Sequence, residues 1–195
     1  MNPAPPPLIS SMTAAFGDDV FEPALFHRRR FALRFELGGA LGVEGFVRSF
    51  DRGREILTSL FAGRDEVVLV VSTYRDLAPL RGELADCGVR LGDAAETWSR
   101  SEPDDQRQRF VADRIPVAAI PMALWAAIAA EIGVRPRSSG KVFLAAPEHG
   151  VLAHPYDDRG MDVLAPRDHL AQLYRDLSHL LLDHDRARMD AAFAG

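Results

Sequence analysis

Glu66-Val67-Val68-Leu69-Val70-Val71-Ser72-Thr73-Tyr74 is the stretch that decides the fold. Five consecutive apolar residues, four of them β-branched, cannot alternate between a buried and a wet face. They read as a strand covered on both sides, in the interior of a sheet. A sheet of that kind needs helices or loops packed over both faces.

Upstream, Phe31, Leu33, Phe35 and Leu37 alternate with Ala32, Arg34 and Glu36, the period of a half-buried strand. Gly38, Gly39 and Gly42 end it, and Phe46, Phe50, Gly53, Leu57, Leu60 and Phe61 then follow helical spacing up to Gly63. Downstream, residues 77–87 read as a short helix. Residues 92–109 are polar, contain Pro103 and read as a long exposed loop with Trp98 as its exception, leading into a short strand at 109–113. Pro121 then marks the start of an all-round apolar helix reaching Ile132 and closed by Gly133. Residues 141–146, 150–156 and 161–165 form three short strands joined by Pro147-Glu148-His149 and Asp157-Asp158-Arg159-Gly160, an antiparallel meander. After Pro166, Leu170, Leu173, Tyr174, Leu177, Leu180 and Leu181 trace a terminal amphipathic helix that carries the charged tail 183–190. The expected class is α+β: a mostly antiparallel sheet with helices packed on it, ending in a C-terminal β-meander and a terminal helix. Residues 1–20, with four prolines, are expected to be a flexible or loosely docked arm, and residues 21–195 a single domain.

Composition narrows the function classes. With 47% hydrophobic and 26% charged residues the chain has the balance of a folded protein. A formal charge of −5 leaves no cationic field for a phosphate backbone, which argues against nucleic acid. The uncharged stretch 115–130 is shorter than a membrane span and interrupted by two prolines, so no membrane is expected. A lone cysteine, Cys87, allows no internal disulfide and fits a reducing compartment, and the prolines ahead of any basic residue do not make a secretory signal. A cytoplasmic protein is expected. Lys141 is the only lysine among the 23 basic side chains, as coding in a GC-rich genome produces.

Gly38, Gly39, Gly42 and Gly45 lie between a strand and a helix, where a dinucleotide loop would sit, but no G-x-G-x-x-G can be written through them and no acid ends the next strand. No Walker motif, nucleophile elbow, H-E-x-x-H or C-x-x-C occurs, and no cofactor is expected. The densest polar segment is His154-Pro155-Tyr156-Asp157-Asp158-Arg159-Gly160-Met161-Asp162. As chemistry, His154, Asp157, Asp158 and Arg159 offer an acid/base pair with an anion clamp, and Asp157, Asp158 and Asp162 a divalent-metal set. As architecture, Asp157 opens and Gly160 closes a type I turn, with Gly160 at positive φ and Asp158 and Arg159 exposed at its tip; this structural account is preferred. In Asp183-His184-Asp185-Arg186 only Asp183 and Arg186 share a helix face, as a surface or capping ion pair. Trp98 and Trp125 read as packing residues.

Arg34-Phe35-Glu36-Leu37-Gly38, Tyr156-Asp157-Asp158-Arg159-Gly160 before Asp162, and Asp183-His184-Asp185-Arg186 together resemble the bacterial family called domain of unknown function 3885. The resemblance runs from about residue 22 to residue 192. In the segment matching 180–186 the family often has aromatics where this chain has Leu180 and His184. The resemblance implies the fold and singles out Arg34, Glu36, Tyr156, Asp157, Asp158, Arg159, Asp183 and Arg186; the family name carries no activity.

These observations lead to an expected non-catalytic interaction protein, an immunity-type or regulatory module that binds another protein through an acidic surface, with Arg34, Glu36, Tyr156, Asp158, Arg159, Asp183 and Arg186 as candidate binding residues. The alternative is a hydrolase-type enzyme built on residues 154–162, in which aspartates bind metal or activate water, His154 assists and Arg159 holds an anion.

Overall fold

The structure, a computed structural model, describes residues 4–38, 42–102, 106–130 and 133–193. In chain order its elements are α1 (Pro7–Phe16), α2 (Leu25–Arg28), β1 (Leu33–Glu36), α3 (Gly42–Leu60), β2 (Glu66–Thr73), α4 (Leu77–Asp86), β3 (Glu96–Ser101), β4 (Arg107–Pro116), α5 (Ile120–Ile128), β5 (Lys141–Ala146), β6 (Val151–Pro155), β7 (Gly160–Leu164), α6 (Arg167–Asp176) and α7 (Arg186–Phe193). Among the described residues the seven strands form one antiparallel sheet of order β1-β7-β6-β5-β2-β4-β3. The fold is α+β, as its sequence pattern implies. The decisive strand β2 lies between β5 and β4, and all of it but Glu66 is buried.

Side chains opposite one another on antiparallel strands project from the same face. One face therefore carries the row Arg34, Asp162, His154, Phe143, Val70, Ala112 and Glu96, running across six strands into β3. The N-terminal segment covers it. The ring of Phe21 packs on Phe110 and Phe143 at 4.8 and 5.4 Å, and the Leu8 N–H donates to Glu96 Oε2 at 2.8 Å. The opposite face is closed by α3 and α5, which pack on each other and on β6, with Leu124 filling the space where Gly53 lacks a side chain.

Four expectations are corrected. Residues 7–16 are a helix rather than a flexible arm: Pro7 occupies its first turn, and Ile9, Met12 and Phe16 recur at i, i+3 and i+7 to bury an apolar stripe. Within the stretch expected as a loop at 92–109, Glu96–Ser101 is strand β3, paired along its length with β4; its polar composition is that of a half-exposed edge strand. The strand expected at 109–113 extends over the whole of β4. The terminal helix is broken into α6 and α7. Between them Leu181 bridges to Phe35, and the Leu182 N–H donates to the Arg34 carbonyl at 3.0 Å, so the chain covers the outer edge of β1. Helix α5 ends at Ile128, with Ala129 and Ala130 in a turn, short of the end expected at Ile132; Ile132 itself and Gly39 lie outside the described residues.

Candidate functional site

Arg34 is the hub of the row. Its half-buried position on β1 faces Asp162 on β7, with Nε donating to Oδ1 at 2.7 Å and Nη2 to Oδ2 at 3.1 Å, a bidentate pair. Asp162 is fully buried, and its Oδ2 also accepts the Phe26 N–H at 3.1 Å. That contact depends on Ala24, which stands at φ 61° before α2 and turns the chain so that the first turn of α2 points its amides at Asp162. Arg34 Nη1 donates to Asp185 Oδ2 at 3.2 Å, and the guanidinium sits over Phe26 and Tyr156 at 5.0 and 5.5 Å from the ring centres. Burial is the largest single influence on Arg34 and opposes its charge, but hydrogen bonding to Asp162 together with the attraction of Asp162, Tyr156 and Asp185 raises the pKa above the ordinary value.

The turn at residues 157–160 is consumed in holding itself. Asp157 Oδ1 accepts the N–H groups of Arg159 at 2.8 Å and Gly160 at 3.2 Å, while Oδ2 accepts Arg159 Nε at 2.8 Å. The tip docks on α3, where the Ser49 hydroxyl donates to the Asp158 carbonyl at 2.7 Å. Asp158 is consequently buried, not exposed at the tip as expected, and burial beside Asp157 raises its pKa. Arg159 is exposed as expected. Gly160 is also corrected: its φ is not positive, and it is needed because a Cβ would overlap the phenol of Tyr156. The residue pattern of the turn is satisfied by close approach rather than by a left-handed backbone.

The candidate metal set does not assemble. Asp157 serves the turn, Asp158 faces α3, and Asp162 is bound by Arg34 on the sheet; no cluster of three metal-ligating side chains occurs among the described residues. What the segment does form, with the loop before α2, is a pocket of about 280 Å³ lined by Pro23, Ala24, Arg34, Lys141, His154 and Tyr156. His154 is sandwiched, stacked on Phe143 at 4.2 Å and edge-on to Tyr156 at 6.3 Å. Its Nδ1–H donates to the Val142 carbonyl at 2.8 Å, which leaves Nε2 as the acceptor. Desolvation lowers the His154 pKa, so the ring is neutral, and burial pushes the Tyr156 phenol up to about 12. Exposed Lys141 supplies a cation at the mouth.

The other candidates fall elsewhere. Glu36 shares the β1 face of Arg34 but is not in the pocket. Asp183 is exposed and does not pair with Arg186, which instead donates from Nε to Asp190 at 3.0 Å and from Nη1 to the Ser178 carbonyl at 2.8 Å; the pair expected within one continuous helix is lost with that helix. Residues that sequence reading passed over are Asp185, His27 and Lys141. The two ring nitrogens of His27 face Arg34 Nη1 at 3.1 Å and Arg188 Nη1 at 3.2 Å. The only sequence signals were the run His27-Arg28-Arg29-Arg30 and the singularity of Lys141.

A family model described as domain of unknown function (DUF3885) matches residues 8–185, and the chain belongs to that family. No curated protein and no solved structure matches it. No helix among the described residues is long and apolar enough to cross a membrane.

Proposed function

We propose that this chain acts by binding and not by catalysis, as a bacterial cytoplasmic interaction module of the immunity or regulatory kind. The observation that carries this reading is that two of the carboxylates of the catalytic alternative are committed to the fold, Asp157 to its own turn and Asp162 to Arg34 and the Phe26 amide, while Asp158 is buried where its backbone carbonyl accepts from Ser49 of α3. What remains open is the pocket beside Lys141. Its volume of about 280 Å³ is at the small end of ligand sites and suits one anchoring side chain of a partner protein. Exposed Lys141 favours an acidic side chain or a terminal carboxylate at the mouth, and the acceptor Nε2 of neutral His154 favours a hydrogen-bond donor beside it.

The test is expression of the tagged chain in its own host, followed by size-exclusion chromatography and a panel of ester, amide and phosphate-ester substrates. A stoichiometric complex that is lost in Lys141→Glu, with no turnover of any substrate, supports binding. Turnover abolished by His154→Ala in a protein that remains folded would return the hydrolase alternative to first place.

A further inference from the structure

A second site lies on the other side of Arg34. Phe31, just before β1, is flanked by guanidinium groups from separate segments. Arg30 and Arg167, the latter at the first position of α6, stand 5.1 and 5.4 Å from its ring centre. With Arg188, Ala191 and Ala192 of α7 these residues line an open hollow of about 510 Å³. None of the three arginines pairs with a carboxylate among the described residues. Arg188 is nevertheless fixed: Nη2 donates to the Arg29 carbonyl at 2.8 Å, and its guanidinium lies 4.7 Å from the Phe26 ring centre. Its Nη1 faces His27, whose other nitrogen faces Arg34. A neutral imidazole has only one acceptor nitrogen, so one of these two guanidinium contacts opposes N–H to N–H. Arg34 is neutralised by Asp162 and Asp185, whereas Arg30, Arg167 and Arg188 have no such partner among the described residues, in a chain whose net charge is −5.

We propose that this hollow binds the phosphoryl group of a small molecule. Three forked cations around one space match a dianion with three oxygens better than a single carboxylate, and stacking on Phe31 holds two of them in place before the ligand arrives. The cluster is compact and the surrounding molecule acidic, which selects a small phosphorylated ligand over a long polyanion. The site is distinct from the Lys141 pocket, and either can fail without the other.

Calorimetric titration of the whole chain with inorganic phosphate, pyrophosphate and a nucleoside diphosphate tests it, with a single-stranded oligonucleotide as the contrasting arm. Saturable one-to-one binding is expected, tighter for pyrophosphate than for phosphate and weakened at least about tenfold by Arg30→Gln combined with Arg167→Gln. Both arginines are exposed, so the melting temperature of the double variant should match that of the parent; Arg30→Gln alone should give part of the loss. Absence of saturation, or binding undiminished in the variants, overturns the proposal. Oligonucleotide binding with a steep salt dependence, where pyrophosphate does not saturate, would also overturn it.

Discussion

Replacing Arg34 with Leu strands a carboxylate. Asp162 is fully buried, and Arg34 supplies two of the three hydrogen bonds it accepts, the third coming from the Phe26 amide. Removing one partner of a buried pair costs about 3–5 kcal/mol. The loss should thus be about 3–5 kcal/mol, on the order of 10 °C in melting temperature for a chain of this size. Urea denaturation with the m-value held in common is the assay. Arg34→Leu with Asp162→Leu removes the stranded charge, leaves only the Phe26 N–H without its acceptor, and should recover more than half of the loss. A single-variant loss below about 1 kcal/mol, or a double variant no better than the single, would refute the assignment of Arg34 and Asp162 as the structural hub.

Other outcomes follow from the same geometry. Gly160→Ala should cost about 1–3 kcal/mol by forcing the Tyr156 phenol away, and unchanged stability by denaturation would contradict the close approach. His154 is held neutral with its pKa lowered, so its share of stability is complete above about pH 6.5 and is lost as pH falls from there toward the depressed folded value; melting curves from pH 7.5 to 5.5 should show this, and His154→Gln should flatten that part of the slope. Asp158 has its pKa raised, so its ionised form disfavours the folded state at neutral pH; Asp158→Asn should melt at the same temperature as the parent or higher at pH 7, and a clear drop would show that the carboxylate has a partner. EDTA should leave the melting temperature unchanged, whereas a fall would indicate a metal held by the aspartates of 157–162.

The sheet was readable wherever the local pattern was strong. The apolar run in β2 could not be a one-sided strand, and the turns bounding 141–165 left little but a meander. The failures have local causes too. Prolines at 5, 6 and 7 masked the apolar stripe of α1, and the polarity of β3 looked like a loop because an edge strand with one face exposed can afford polar residues. The site was harder to see because it is made by register. Arg34 and Asp162 are 128 positions apart, and Lys141 reaches His154 only through the pairing of β5 with β6. The residues of 154–162 stand out as the densest polar run, but sequence proximity invites grouping three aspartates that the hairpin sends to three different surroundings.

A partner seated in the pocket beside Lys141 is directly measurable, because Lys141 is the single lysine. Amine-reactive cross-linking of the complex captured from the host, followed by mass spectrometry, reports on Lys141 with only the N-terminal amine as competitor. A cross-link from Lys141 to the partner is expected, with protection of Lys141 from acetylation in the complex. A partner bound while Lys141 remains as reactive as in the free chain, with no cross-link through it, would contradict the claim.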